Sequence, residues 1–326
     1  MLSTSDIFEI SSKKEFEKLT LKVFRFQYDN NPVYQQFCNY LKKDKTNVKS
    51  LPEIPFLPIQ FFKSHDILSS SATVQTTFTS SGTTGMSTSK HKVIDLSFYE
   101  ESYRLGFRQF YGNIEDYTVL ALLPSYLERD GSSLIYMVDD LIRLSNNPDS
   151  GFYLNNYDEL IEKLIRLDSN GENVILIGVT YALLDLVEKQ KFHLKNTIIM
   201  ETGGMKGRRK EIIREELHEI LCEGFGVPVI HSEYGMTELL SQAYSLGNGI
   251  FECPMWMKIL VRDPEDALTL LSEGKTGGIN VIDLANINSC SFIATQDLGK
   301  IVGNNSFEVL GRFDNSDIRG CNLMVI

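Results

Sequence analysis

The sequence predicts an α/β fold in which parallel sheet layers and helices carry a smaller β-rich part at the C-terminal end. Three observations predict it. Between Tyr117 and Gly235, short apolar runs alternate with amphipathic stretches, the pattern of strands joined by helical crossovers. After about residue 250 the runs become short and alternating and are parted by turns, as in an antiparallel sheet. The composition of the 326 residues, 42 % hydrophobic and 23 % charged, is that of a globular chain.

Taken in order, residues 1–50 read as helical, with Phe16, Leu19, Val23 and Phe24 at helical spacing. NNPVYQQFCNYLKK then supplies a turn signal and a second amphipathic helix. Leu51–Ile67 holds three prolines in seven residues, which excludes a helix and favours an extended segment against the body. Val74, Thr76 and Phe78 alternate like a strand and lead into TTFTSSGTTGMSTSKHK. DLSFYEESYRLGFRQFYG reads as a helix capped by Asp95 or Ser97. YTVLALLPS is a buried strand, and ERDGSSLIYMVDDLIRL a turn feeding a helix. Helix YDELIEKLIRL, strand NVILIG, helix YALLDLVEKQ, strand NTIIMETGG, helix RRKEIIREELHEILCEGFG and strand VPVIHSEYG follow. MWMKILV, GGINVIDL, SFIATQDLGKI and FEVLGRF read as an antiparallel sheet or small barrel packed on the core. The expected division is a helical region over 1–75, an α/β core over 76–250 and a β-rich part over 251–326.

A net charge of −11 speaks against nucleic acid as a partner, because backbone binding needs a basic footprint. No apolar run reaches the roughly 18 residues of a membrane span. MLSTSDIFEISSKKEFEK lacks an apolar core and a cleavage signal, so the expected location is cytoplasmic. The five cysteines have no close pairs, which argues against a disulfide framework or a zinc site. Cys38, Cys222, Cys253 and Cys290 read as small core or near-core residues.

The chemistry lies in the loops. Thr79–Gly85 is a run of small or hydroxylated residues, followed by Lys90, His91 and Lys92. Glycines let a backbone approach a ligand, and successive N–H groups form a concavity for anions. A polyphosphate suits that combination, and a flexible Ser/Thr/Gly linker is the alternative. In an open α/β sheet the site forms at the carboxyl ends of the strands. The loops expected there are PSYLERDGSS, GVT, ETGGMKGR and HSEYGMTE.

Four motifs in order resemble the adenylate-forming superfamily of acyl-CoA synthetases, luciferases and peptide-synthetase adenylation domains. They are SSGTTG with Lys90, YGMTE at Tyr234–Glu238, Asp297 in ATQDLGKI, and GRFDNSDIRG at Gly311–Gly320. IPFLPIQFFKS, LLPSYLERDGSSLIYMV, ETGGMKGRRKE and GRFDNSDIRGC resemble its acyl-protein synthetase, LuxE-like branch, from about Leu51 onward. Phenylacetate-CoA ligases are more distant relatives. The resemblance implies ATP and Mg²⁺ as cofactors and a carboxylic, fatty acid as substrate, activated as an acyl adenylate and passed to a protein thiol. Ser80, Ser81, Gly82, Thr83, Thr84 and Gly85 would hold the β- and γ-phosphates, with Lys90 assisting. Thr237 would contact the α-phosphate and Glu238 would bind Mg²⁺. Tyr234 would stack on adenine, with Gly235 leaving room and Met236 inside the motif. Asp297 would take the ribose hydroxyls and Arg312 would add a cation near ribose or phosphate. Gly203 and Gly204 match the adenine-side loop or are a plain strand-to-helix turn. Lys206 and Arg208 reach phosphate or open a solvated helix, and His231 is structural or touches ligand. Tyr126, Glu128 and Arg129 fall in the family's acyl-side region.

Most members continue into a mobile C-terminal domain carrying a lysine. The sequence ends six residues past Gly320, so that domain is not expected here, as in the LuxE-like branch. Lys90, Lys206 or a partner are candidates to replace the lysine. Cys321 matches the branch's acyl-carrying cysteine and reads otherwise as a buried small hydrophobe. An acyl reductase, a carrier protein or another acyl acceptor is the expected partner. An acyl- or aryl-CoA ligase and a nucleotide-binding partner subunit without turnover are the competing readings.

Overall fold

A computed structural model describes residues 3–80, 88–124, 131–154, 156–203, 212–303 and 305–313. The chain opens with α1 (Thr4–Phe8), α2 (Lys13–Asn30) and α3 (Pro32–Tyr40), as the apolar spacing predicts. Side-chain oxygens of Ser3, Ser12 and Asn31 each accept a first-turn N–H that has no partner inside its helix. The proline-rich segment is extended through β1 (Leu57–Pro58). Beyond the last proline the sequence again permits a helix, and Phe61–Ser64 closes one turn, α4, where an extended run was expected.

The hairpin β2 (Thr76–Thr79) and β3 (Lys90–Val93) pairs antiparallel, with Thr79 opposite Lys90. Next come α5 (Leu96–Tyr111), capped by Asp95, then β4 (Thr118–Leu122), α6 (Ser133–Ser145), β5 (Gly151–Tyr153) and α7 (Tyr157–Ser169). They lead to β6 (Val174–Val179), α8 (Thr180–Lys189), β7 (Thr197–Thr202), α9 (Arg214–Phe225) and β8 (His231–Tyr234). Three residues are too short for a visible period, so β5 had no signal in the sequence. The expected helix from Arg208 begins at Arg214, since Ile213 is extended as its N-cap; 208–211 lie outside the described residues. The last strands are β9 (Ala243–Ser245), β10 (Ile250–Glu252), β11 (Met257–Arg262), β12 (Gly277–Asp283), β13 (Phe292–Gly303) and β14 (Ser306–Arg312).

Twelve described strands share one sheet in the order β11-β12-β13-β14-β10-β9-β8-β7-β6-β4-β5, with β1 beside β13. From β4 to β8 all pairs are parallel, and from β8 to β9 onward the pairing turns antiparallel. The antiparallel run expected after residue 250 is joined edge to edge to the parallel strands through β9, β10 and β14.

The register sorts the side chains into two faces. Val119, Ile175, Ile177, Met200, Thr202, His231, Glu233 and Tyr244 fall on the side covered by α5 and α6. Glu201 and Ser232 fall on the other, where Arg214 of α9 donates to both, at 2.7 and 3.3 Å. The central strands are wholly buried, which explains their continuous apolar runs. Cys38, Cys253 and Cys290 are buried free thiols and Cys222 is partly buried, as expected. Among the described residues no helix is long and apolar enough to cross a membrane.

Candidate active site

Five segments meet at the carboxyl edge of β7 and β8. The first is the hairpin β2–β3. Its loop is pinched where the Ser80 N–H donates to the Ser89 carbonyl (3.1 Å) and the Ser89 N–H donates to Ser80 Oγ (2.9 Å). Ser80 is therefore at the neck, while Ser81, Gly82, Thr83, Thr84 and Gly85 lie outside the described residues. Lys90 is exposed directly beyond the neck, and Lys92 is engaged by Asp66 at 2.7 Å.

The second segment ends at Gly131, whose carbonyl accepts the Thr79 N–H at 2.8 Å. Gly131 has φ +84°, and a Cβ there would stand 3.0 Å from Thr79 Oγ1 and 3.1 Å from the Thr77 carbonyl. Tyr126, Glu128 and Arg129, just before it, lie outside the described residues. The third segment is Gly203 at the end of β7, with φ +69° and its carbonyl taken by Thr180 Oγ1 at 3.1 Å. Gly204, Lys206 and Arg208 lie outside the described residues.

The fourth segment, residues 235–242, crosses from β8 to β9 without a helix. Its backbone is held by buried polar side chains. His91 engages the Thr237 carbonyl at 2.9 Å and Asn286 Nδ2 donates to the Glu238 carbonyl at 2.7 Å. Asp283 accepts the N–H groups of Leu240 (2.8 Å) and Ser241 (2.9 Å) and the Ser241 hydroxyl (2.6 Å). Burial pushes the Asp283 carboxyl up to about 6, against the pull of those donors. A Cβ at Gly235 would lie 2.4 Å from Glu233 Oε1, so any larger residue there would have to push that carboxylate aside.

Glu238 is buried at 6 % exposure, and burial raises its carboxyl above the usual range. The Ser89 hydroxyl and the Arg312 charge both favour its ionised form, so the loop neck and the last strand both bear on this carboxylate. Among the described residues no cluster of three or more His, Cys, Asp or Glu could hold a metal by itself. One buried carboxylate suits Mg²⁺, which keeps waters and substrate phosphate oxygens as its other ligands.

The fifth segment is the β13–β14 pair, where Asp297 stands opposite Arg312. Arg312 Nε donates to Asp297 Oδ1 at 2.9 Å and the Tyr234 hydroxyl donates to Oδ2 at 2.8 Å. The Arg312 charge is reinforced by Asp297. Tyr234 is 9 % exposed, with Phe251 and Phe307 in T-shaped contact with its ring, and its hydroxyl makes a positioning contact with Asp297. The register explains this: Tyr234 lies on the opposite face from Glu233 and turns toward β13.

Met236 and Thr237 are partly buried beside these groups. His231 lies lower on β8, where burial lowers its pKa and the Tyr111 hydroxyl is 3.3 Å from Nδ1. Cys321 lies outside the described residues. Sequence reasoning missed His91, Asp283, Asn286 and Glu233. His91 had one visible signal, a histidine flanked by lysines on a short alternating strand. Glu233 accepts the Thr202 hydroxyl at 2.5 Å, and burial with Glu201 nearby pushes its carboxyl up to about 7.

Below Glu233, on the same face, lies a small apolar cavity of about 20 Å³, room for little more than one water. Phe107, Met137, Leu141, Ile177, Met200 and Tyr244 are among its walls. Met200 sits two residues before Thr202 on β7, so the cavity begins about one strand repeat, ~7 Å, below the edge where the five segments meet.

The model of the acyl-protein synthetase (LuxE) family matches residues 2–95 and 145–326. The long-chain-fatty-acid–luciferin-component ligase of Vibrio harveyi is 22 % identical over 347 residues, covering 99 % of this chain and 90 % of that protein. Among solved structures, 2-hydroxyisobutyryl-CoA ligase in its postadenylation state with R3-HIB-AMP superposes with a TM-score of 0.67. It is 12 % identical, with 95 % of this chain and 70 % of that one covered. ATP-bound MatB from Rhodopseudomonas palustris gives a TM-score of 0.54 at 18 % identity. There 73 % of this chain matches, and the match spans about half of MatB, 48 %.

Proposed function

This chain belongs to the acyl-protein synthetase (LuxE) family, and we propose that it activates an apolar carboxylic acid with ATP and passes the acyl group to a protein thiol. A carboxylate oxygen of the acid attacks the α-phosphorus of ATP, the bond to the bridging oxygen breaks, and pyrophosphate leaves. The acyl adenylate then loses AMP to an attacking thiolate, giving a thioester. Both steps ask the protein mainly to align anions and to neutralise charge developing on oxygen.

The observation that carries the reading is the convergence of the Ser80–Ser89 neck, Glu238 and the Arg312–Asp297–Tyr234 group at one sheet edge. In it, the hairpin loop holds the β- and γ-phosphates with Lys90 beside it, and Thr237 faces the α-phosphate. Asp297, oriented by Tyr234 and Arg312, takes the ribose. Glu238 supplies the protein carboxylate for Mg²⁺, which offsets phosphate charge when bound. Gly203 and Gly204 border the adenine.

We place the acyl chain at the small cavity beneath Glu233, whose walls would have to part to admit it; every wall residue is apolar or aromatic, as a hydrocarbon requires. The name of the Vibrio harveyi relative makes long-chain fatty acids the first to test. Cys321 is the proposed thiol, with a reductase or carrier protein as the next acceptor. The reading keeps the reaction in the cytoplasm, where ATP is supplied.

ATP–pyrophosphate exchange across a panel of acids tests the first step, and silence with every acid refutes it. Labelled acid with ATP should then leave a hydroxylamine-labile label on the protein. Cys321→Ser should abolish the label and leave exchange intact. A label that persists at the wild-type rate removes Cys321 from the reading, and release of acyl-CoA on adding CoA favours the CoA-ligase alternative.

A further inference from the structure

A buried polar chain runs from the N-terminal helices to the proposed nucleotide motif. Asn31, the cap of α3, donates from Nδ2 to the Ser289 carbonyl at 3.0 Å, and the Ser69 hydroxyl donates to the same oxygen at 2.5 Å. The Ser289 hydroxyl oxygen accepts the Cys290 N–H at 2.6 Å. That oxygen stands 3.0 Å from His91 Nε2. The Thr237 carbonyl facing Nδ1 can only accept, so Nδ1 carries the proton, and in a neutral imidazole Nε2 then accepts the Ser289 hydroxyl. Nδ1 therefore donates to the Thr237 carbonyl at 2.9 Å. His91 is 1 % exposed, with Phe62 edge-on to its ring at 5.5 Å. Burial pushes its pKa down to about 4, in keeping with a neutral ring.

We propose that His91 is a positioning residue, which fixes the Thr237 peptide and so aims the Thr237 hydroxyl and the following N–H at the α-phosphate. The reason is geometric. Thr237 lies in a crossing loop with no strand ladder, and His91 grips its carbonyl from behind. The same residue sits two positions past Ser89, whose hydroxyl favours the ionised form of Glu238. One rigid strand thus ties the neck of the phosphate loop to the turn it faces. The catalytic part of the proposal rests on the ligase reading above; the tautomer part does not.

The test compares His91→Ala with His91→Asn, whose amide N–H can occupy the Nδ1 position. Both variants lose the Ser289 bond, so a merely structural role would impair them alike. The expected result in ATP–pyrophosphate exchange is a kcat lower by about 10-fold or more for the Ala variant, with KM for the acid little changed, the scale of one lost hydrogen bond. The Asn variant should recover to within about 3-fold of wild type. Equal impairment of the two variants at equal melting temperature, or full kcat in His91→Ala, overturns the catalytic role. Ring ¹⁵N NMR on the wild-type protein, assigned against His91→Asn, should show the neutral Nδ1–H tautomer. A Nε2–H tautomer or a charged ring at pH 7 overturns the proposal even if no acid supports exchange. Wild-type silence in exchange, with the expected tautomer seen, faults the ligase reading and with it the role assigned to His91.

Discussion

At the scale of single residues, Glu233 is the most informative. It is partly buried, holds the Thr202 hydroxyl, and titrates near 7 because burial and Glu201 oppose its charge. The sign of its effect on stability follows. The folded chain keeps a proton that the unfolded chain releases from its ordinary value of 4.5 upward, so stability is lost as pH rises from there to about 7. Glu233→Gln should therefore match wild type in melting temperature at pH 4 and exceed it at pH 8. The gain should be roughly 1–2 kcal/mol after allowing for partial solvent access. Parallel pH dependences for the two proteins in thermal melts would contradict this account. The YGMTE motif singles out Glu238, and nothing in HSEYGMTE marks Glu233. Only the β8 register turns Glu233 toward the cavity, while the loop turn brings Glu238 to Ser89.

At the scale of elements, the N-terminal helices support the site from behind. Gln27 lies on the buried stripe of α2 and is fully enclosed. Its Nε2 donates to the carbonyls of Asn286 (2.9 Å) and Ile287 (3.0 Å), and its Oε1 accepts the Ser291 N–H at 2.9 Å. Asn286 in turn holds the Glu238 carbonyl. Gln27→Ala strands three buried backbone groups, so urea unfolding should show a loss of about 2–4 kcal/mol. A loss under about 0.5 kcal/mol would mean that water or a shifted backbone replaces those bonds. The helical period of α2 is legible in Phe16, Val23 and Phe24. Why a glutamine belongs on that stripe is not, because its partners are more than 250 positions away in the chain.

At the scale of the whole molecule, one sheet face links the apolar cavity to the edge where the five segments meet. Met137 of α6 and Met200 of β7 form opposite walls. Methionine is flexible, so these walls can adjust to an acyl chain. Met137→Ala should move the optimum of a chain-length series in ATP–pyrophosphate exchange toward longer or branched acids, at a stability cost of about 2–5 kcal/mol. An unchanged chain-length profile in the folded variant would take the acyl chain out of this cavity.

By itself the sequence determined the order and type of most elements, since hydrophobic periods and helix caps are local properties. It also determined the residue types at the site, because SSGTTG, YGMTE, Asp297 and Arg312 stand in the chain as contiguous strings or single landmarks. Only the tertiary structure decided that the last strands extend the same sheet, and that Tyr234 turns its hydroxyl to Asp297. It alone showed that His91, Asn286 and Asp283 hold the crossing loop. The reason is physical. Sheet order and buried hydrogen bonds join groups distant in the chain, and burial sets which of several like carboxyls or histidines is neutral.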